Sequence, residues 1–494
     1  MSAVTGRFDL CILGGGAAGV AAAVRAHDLG RTVALVEAGR LGGAGVWNGA
    51  LSSKTLWHLA MDYARARRDD RGYRGSGLAL SWDDVCAQVD GACREAEALI
   101  ARQLAHLQRP GPGGGRVELV HGRGRFVASH AVEVVAPDGA ARRIEADRFL
   151  IAVGSRPRTL DGVAVDGHRV VTSDEIEACG APPARVAIVG AGVVGCEYAT
   201  VLALFGRTRV ELIDRAARVL PFEDEDVSAA VGASFEQLGV HIHRKARLDG
   251  LRVDGDEVEL TIRSARDGGE HVEVRRVDRV LLAIGRVAAL DGLGLELPGV
   301  ARDARGAIAV SPDDATRTTA AHVWAAGDVT ADLMLANVGE LEARHAVEDM
   351  FGFATPPLRY DAQSAILFLR PEVATVGLGE QLARERGIPY RAATVSNQLI
   401  RRNLAMRATD GFVKLIARPD GRLLGLRVVG PQASSAIQGV ALLIERGGTL
   451  DDIDHTMHPH PAVTEGVQEA ARLLLGRSVY TPEAFGGLLR VAEG

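Results

Sequence analysis

Short cysteine pairs, long apolar runs and a strong charge of either sign are all missing from this chain. The five cysteines, Cys11, Cys86, Cys93, Cys179 and Cys196, form no C-x-x-C pair and no His/Cys cluster, so neither a disulfide framework nor a metal site is expected, and the usage fits a reducing compartment. No stretch reaches the roughly 18 apolar residues that a bilayer span requires. The formal net charge of -6 gives no reason to expect a nucleic-acid or membrane-surface partner. The opening M-S-A-V-T-G-R-F-D-L-C-I-L-G-G-G has an apolar stretch that glycines break at once, unlike the apolar region of a secretory signal. These absences together point to the cytoplasm. Aromatic residues are sparse as well, at 4%.

What the chain has instead is glycine. Its 59 glycines often separate short β-branched runs from Ala/Leu-rich periodic runs, the pattern of alternating strands and helices. With 494 residues, the chain is long enough for two to four domains. Residues 8–13 read as a buried strand, 17–29 as a small-residue helix and 32–37 as a second strand. A similar unit spans residues 185–214. Between the two lies a segment of helical character from about Ser52 to His106, followed by R-P-G-P-G-G-G-R at 109–116, which reads as a surface turn. From about residue 357 strand-like stretches (A-I-L-F-L, F-V-K-L-I-A, L-L-G-L-R-V-V) are followed by helical ones near 433–447 and 462–475, the mark of a separate α+β domain.

Each β-α-β unit carries a G-x-G-x-x-G motif. In the first it is Gly14, Gly16 and Gly19, with Glu37 at the end of the second strand; in the second it is Gly190, Gly192 and Gly195, with Asp214 in the corresponding place. Glycines let the backbone approach a pyrophosphate, the helix N-terminus supplies N–H donors and a positive dipole end, and the acidic residue accepts ribose hydroxyls. Two such units imply two dinucleotides. Asp214 favours NADH by repelling a 2′-phosphate, whereas Arg215 and Arg218 beside it either pair with that phosphate or form a solvated patch.

The order of motifs resembles the FAD-dependent pyridine nucleotide-disulfide oxidoreductases nearly end to end. Besides the two glycine units, the resemblance rests on F-L-I-A-V-G-S-R-P at 149–157, V-L-L-A-I-G-R at 280–286, V-W-A-A-G-D-V at 323–329 and H-P-H-P-A-V-T-E at 458–465. It implies an α/β fold with two Rossmann-type domains and a C-terminal α+β dimerisation domain. Residues 1–156 and 285–356 are expected to bind FAD, 157–284 to bind NADH or NADPH, and 357–494 to form a homodimer interface. It further implies that Gly154, Gly285 and Gly327 belong to the dinucleotide sites and that Asp328 holds the flavin's ribityl or pyrophosphate region. The helix starting near Met334, Leu335 and Ala336 is expected to aim its N–H groups at the flavin's pyrimidine edge.

One segment departs from the family. Where its disulfide-using members read like G-G-T-C-L-N-V-G-C-I-P-S-K, residues 42–54 read G-G-A-G-V-W-N-G-A-L-S-S-K, with Gly45 and Ala50 at the two cysteine positions. Dihydrolipoamide, glutathione and mercuric ion all require that dithiol, so activity as a dihydrolipoamide dehydrogenase is not expected. Locally, G-G-A-x-V and V-L-P-F-E-D-E-D at 219–226 look like actinobacterial lipoamide dehydrogenase homologues that reduce quinones. By the resemblance, Lys54 lies near flavin N5 and Glu197, in the first turn of the second unit's helix, is its carboxylate partner. The alternative is a solvated lysine and a helix-dipole carboxylate. His460 and Glu465 match a C-terminal dyad that crosses the dimer interface, and either protonate an acceptor or persist as interface residues.

The expected function is therefore transfer of electrons from NAD(P)H through FAD directly to a small acceptor, a quinone or a second nicotinamide nucleotide. Soluble transhydrogenation is the enzymatic alternative. A flavin-stabilised dimeric scaffold without turnover is the alternative of another class, and the retained Lys54 and Glu197 speak against it.

Overall fold

The computed structural model describes residues 4–73, 77–178, 180–266 and 269–494. The chain divides into two compact units, one made of residues 1–59, 77–181 and 284–358, the other of 60–76, 182–283 and 359–494.

In the first unit, the apolar run at the N-terminus forms strand Val4–Leu13, small residues form helix Ala17–Asp28, and T-V-A-L-V-E forms strand Thr32–Glu37. The middle residues of Thr32–Glu37 are all buried, as expected of a parallel strand covered on both faces. Among the described residues the sheet runs in the order Arg116–His121, Thr32–Glu37, Val4–Leu13, Ala141–Ile151, Ala131–Val135, Arg123–Ala128, with Val323–Ala325 also paired to Ala141–Ile151. The Thr32–Glu37, Val4–Leu13 and Ala141–Ile151 pairings are parallel and the last two strands are antiparallel. Ala18, Ala22, Ala23 and Ala26 share one core with Ala343, Ala346 and Val347 of helix Ala336–Met350. Side chains this small allow two helices to pack closely on one sheet face.

The helical stretch after the first β-α-β unit is two helices, Ala50–Ala66 and Trp82–Leu107. The Ser81 hydroxyl caps the second by accepting the Asp84 N–H, and Asp83 and Asp84 place negative charge at its N-terminus. The glycine run at 109–116 is more than the surface turn read from its composition. Gly115 is buried, and a Cβ there would stand 2.1 Å from the His27 carbonyl oxygen. Glycine lets the loop lie against the end of helix Ala17–Asp28.

In the second unit, strands Arg185–Val189, Arg209–Ile213, His241–His243 and Arg279–Leu282 form a parallel sheet. Helix Val193–Phe205 follows the first of these and stops at Gly206, whose φ of 69° ends it in the left-handed conformation. An antiparallel three-stranded sheet, Ala246–Asp254, Glu257–Arg266 and Gly269–Val277, is inserted before the last parallel strand. The C-terminal part is an antiparallel sheet in the order Ser364–Leu367, Val373–Gly377, Leu423–Val429, Phe412–Ala417, Arg391–Ser396, Leu489–Glu493. Residues of helices Ile437–Glu445 and Glu465–Leu475 complete its core. The α/β layers and the C-terminal α+β part match the architecture read from the sequence.

Candidate dinucleotide sites and the residues around them

The two glycine motifs are built from the same devices. Gly14 and Gly190 both have φ of 108°, a turn that glycine makes without strain. Cβ atoms at Gly19 and Gly195 would lie 1.8 Å from the carbonyl oxygens of Gly14 and Gly190, so the third glycine seats helix against strand. Gly16 and Gly192 differ from these. Their φ values, -76° and -77°, are ordinary, and a Cβ would meet nothing nearer than 4.0 Å at Gly16 and nothing within 4 Å at Gly192. The protein's own packing does not demand glycine at either place. Both stand at helix N-termini without a side-chain cap, where unclaimed N–H groups and open space suit a pyrophosphate.

Glu37 and Asp214 close these loops in parallel fashion. Glu37 accepts the Gly15 N–H on Oε2 and the Gly39 N–H on Oε1, each at 2.5 Å. Asp214 accepts the Ala191 N–H on Oδ2 at 2.6 Å and the Ala216 N–H on Oδ1 at 2.7 Å. A carboxylate has about four acceptor positions, so each can hold its loop and still receive ribose hydroxyls. Arg215 is exposed. Arg218 is committed to its own surroundings, donating to the Pro221 and Glu223 carbonyls at 3.2 and 3.0 Å and pairing with Glu225 and Gln381. Of the two arginines, Arg215 is the more exposed.

Three distant motifs meet in the first unit. Ser155 donates its hydroxyl to Asp328. Arg286 donates to Ser155 Oγ at 2.7 Å and to its carbonyl at 2.9 Å, and reaches Ser173 and Asp174 at 3.2 and 3.1 Å. Gly154, Gly285 and Gly327 have φ of 73°, 100° and 77°, and the Gly327 N–H is taken by buried Glu342 at 2.7 Å. Met334 and Leu335 are half-buried and precede helix Ala336–Met350, which has no side-chain cap. Ser155 and Arg286 lie inside the motifs at 149–157 and 280–286, yet their link to Asp328, like that of Glu342 to Gly327, is spatial and has no sequence spacing to reveal it.

Residues 42–54, which contain no cysteine, include a short helix, Gly43–Val46, and the start of Ala50–Ala66. A Cβ at Gly45 would rest 3.7 Å from that of Ala17, an ordinary contact. Beneath it lies Cys93, whose thiol donates to the Val46 carbonyl at 3.2 Å. Burial, with Glu177 and Asp90 nearby, pushes that thiol up to about 11. Burial likewise raises Cys11 to about 12 and lifts Cys86 and Cys196 above the ordinary thiol range. The four described cysteines are free, and Cys179 lies outside the described residues. A thiol held this high is protonated near neutral pH and is a poor nucleophile.

Lys54, the fifth residue of helix Ala50–Ala66, is half-buried with Nζ 3.2 Å from Ser53 Oγ. Glu197 is the fifth residue of helix Val193–Phe205, just past the first turn expected for it. It is buried, and Oε1 accepts the Phe368 N–H at 3.0 Å. His460 Nδ1 lies 2.6 Å from Glu465 Oε1, while Glu465 Oε2 accepts the Ala462 N–H at 2.9 Å. The imidazole is thus oriented yet exposed, and His458 faces the Ile453 carbonyl.

The acidic stretch at 219–226 has a structural use. Lys414, 1% exposed, places Nζ 2.7 Å from each of Asp224, Asp226 and Glu380. Arg427, also buried, donates to Glu223 at 3.1 Å. Neither basic residue was singled out in the sequence, where both read as interior positions of apolar strands.

A family model described as pyridine nucleotide-disulphide oxidoreductase matches residues 8–343, and the dimerisation domain of that family matches 363–471. A dihydrolipoyl dehydrogenase of Bacillus subtilis is 31% identical over 485 residues, covering 96% of this chain and 99% of the relative. One of Zymomonas mobilis is 33% identical with the same coverages, 96% and 99%. Among solved structures, LpdA of Mycobacterium tuberculosis has a TM-score of 0.85 at 29% identity, covering 95% of this chain and 99% of that one. The flavoprotein disulfide reductase RclA of Escherichia coli shares the fold, with a TM-score of 0.80 at 23% identity over 94% of this chain and 99% of its own.

Proposed function

The chain belongs to the pyridine nucleotide-disulphide oxidoreductase family, and from that premise we propose that it is an NAD(P)H:acceptor oxidoreductase working without a disulfide relay. FAD and NAD(P)H are the cofactors of that family. When bound, FAD would supply two-electron redox chemistry between a nicotinamide and an acceptor such as a quinone.

The observation that carries this reading is the absence of cysteine from residues 42–54, together with burial that raises every described thiol. A relay needs a thiolate at the acceptor side, and no residue of that segment supplies one.

Gly14, Gly16, Gly19 and Glu37 would hold the FAD adenosine and pyrophosphate, with Asp328, fixed through Ser155 and Arg286, placed for the ribityl region. Gly190, Gly192, Gly195 and Asp214 hold the nicotinamide nucleotide. Lys54 and Glu197 keep the roles the resemblance gives them, and His460, oriented by Glu465, would give a proton to the reduced acceptor, such as a quinol oxygen. We assign FAD binding to 1–156 and 285–356, nucleotide binding to 157–284, and a homodimer interface to 357–494. The exposed Arg215 beside Asp214 favours transhydrogenation as the second reading, since one site then has to accept both nucleotides.

The test is stopped-flow acceptor profiling with NADH and NADPH against quinones, thio-NADP, oxygen and lipoamide. Rapid turnover with quinones and none with lipoamide supports the proposal. Turnover with lipoamide overturns it, and preference for thio-NADP selects the second reading.

A further inference from the structure

A cluster outside the dinucleotide sites has the make-up of a metal centre, although the sequence offers only H-I-H at 241–243. Strand His241–His243 lies at the edge of the parallel sheet, and Glu211 of Arg209–Ile213 stands opposite His241 in register. Alternate residues of a strand share a face, so His241, His243 and Glu211 project to the same side. Glu211 Oε2 is 2.8 Å from His241 Nδ1 and 2.6 Å from His243 Nε2. The donor atoms of the three residues all lie within 4.8 Å of one another.

We propose that Glu211, His241 and His243 bind a divalent first-row transition ion such as Zn²⁺. Bonds of about 2.0–2.1 Å in a tetrahedral site put donor atoms roughly 3.3 Å apart, so the two spacings from Glu211, 2.8 and 2.6 Å, have to open by only about 0.5–0.7 Å. Two imidazoles and one carboxylate suit a borderline ion, and the single carboxylate is too few oxygens for Ca²⁺. Water completes the coordination. His241 is exposed and gives the ion a way in.

The residue behind the cluster supports this assignment independently. His243 is fully buried, and its second nitrogen, Nδ1, lies 2.8 Å from Glu273 Oε1. The imidazole and the carboxylate are not aligned for a hydrogen bond, and both atoms are buried without one. Glu273 is held from the other side by Arg275 at 2.5 Å. A carboxylate set behind a histidine whose other nitrogen faces the ion is the usual support of a metal ligand, fixing tautomer and ring direction. A small rotation of the His243 ring, as Nε2 turns to an ion, lets Nδ1–H meet Glu273. By contrast, the acidic group Asp224, Asp226 and Glu380 already holds the Lys414 ammonium and needs no ion.

The site borders the nucleotide loop. The His243 carbonyl accepts the Asp214 N–H at 3.0 Å, and Asp214 in turn holds Ala191.

The test uses tag-free FAD-loaded protein, stripped with a chelator and titrated with Zn²⁺ against a chromophoric indicator at neutral pH, alongside melting curves. One Zn²⁺ per chain and a raised melting temperature are expected for the wild type. Both should be lost in His241→Ala, whose exposed side chain can go without a cavity, and in Glu211→Gln. Glu273→Gln should weaken Zn²⁺ binding by roughly 10- to 100-fold while leaving the stoichiometry. The proposal is overturned if the wild type binds no Zn²⁺, or if His241→Ala and Glu211→Gln bind it as tightly as the wild type. In either case the cluster is a set of imidazole-carboxylate contacts alone.

Discussion

Arg286 holds Ser155 at two points, donating Nε to the hydroxyl at 2.7 Å and a terminal nitrogen to the carbonyl at 2.9 Å. Ser155 then has its own proton to give to Asp328, the carboxylate assigned to the flavin. Substituting Ser155→Ala removes that donor and leaves a half-buried guanidinium nitrogen unmatched. Hydrogen bonds to charged groups contribute about 1.5–3 kcal/mol, so FAD should dissociate roughly 10- to 100-fold more readily. Flavin fluorescence on dilution measures this. Unchanged retention would mean that Asp328 is positioned by something else.

Asp214 anchors the loop through Ala191 and Ala216, and in the proposed function it accepts a ribose as well. Asp214→Ala should therefore impair both nucleotides, with NADH losing more because only a free ribose hydroxyl pair benefits from the carboxylate. The ratio of kcat/KM for NADH over NADPH is expected to fall about tenfold. Equal losses would reduce Asp214 to a loop anchor.

A positive charge placed where electrons arrive commonly lowers the barrier by about 2.7–4 kcal/mol. On that scale Lys54→Met should slow reduction of the flavin by NADH about 100- to 1,000-fold without unfolding the protein, while buried Glu197, left without the cation assigned to it, costs some stability, so the rate is read beside a melting curve. Reduction at the wild-type rate would make Lys54 a residue that merely falls in register with the family motif.

The Lys414 cluster predicts how stability depends on pH. Burial disfavours the ammonium, but Asp226 and Asp224 outweigh this and raise its pKa; burial likewise opposes Asp224, and Lys414 brings it below the usual carboxylate range. A lowered carboxyl stabilises fully above the ordinary value near 3.9 and loses that as pH falls through its depressed value. A raised ammonium stabilises fully below about 10.4 and loses that as pH climbs through its elevated value. Melting temperature should form a plateau between those limits. Lys414→Met leaves three carboxylates without their cation and should cost about 3–5 kcal/mol on that plateau, read by denaturant unfolding. A loss under about 1 kcal/mol would show that the pocket is wetter than its burial suggests.

Local pattern made much of this molecule legible. Strand Thr32–Glu37 has the limits its composition suggests, and the glycine motifs with Glu37 and Asp214 close on themselves through contacts set by short spacing. What stayed hidden depends on long-range pairing. Glu211 and His241 are 30 residues apart and meet only because their strands are neighbours. Lys414 and Asp224 meet across 190 positions, and Lys414 looks misplaced in F-V-K-L-I-A until its three carboxylates are in view. Gly115 looked exposed because glycine runs usually are, whereas here the missing side chain lets the backbone close on His27.

The central claim is that electrons leave the flavin without passing through a thiol, and anaerobic titration of the FAD-loaded protein with one equivalent of NADH tests it most directly. The oxidised flavin band should bleach to plain reduced flavin, with no long-wavelength thiolate-to-flavin charge-transfer band, because residues 42–54 contain no cysteine. A long-wavelength band that disappears on thiol alkylation would contradict the account.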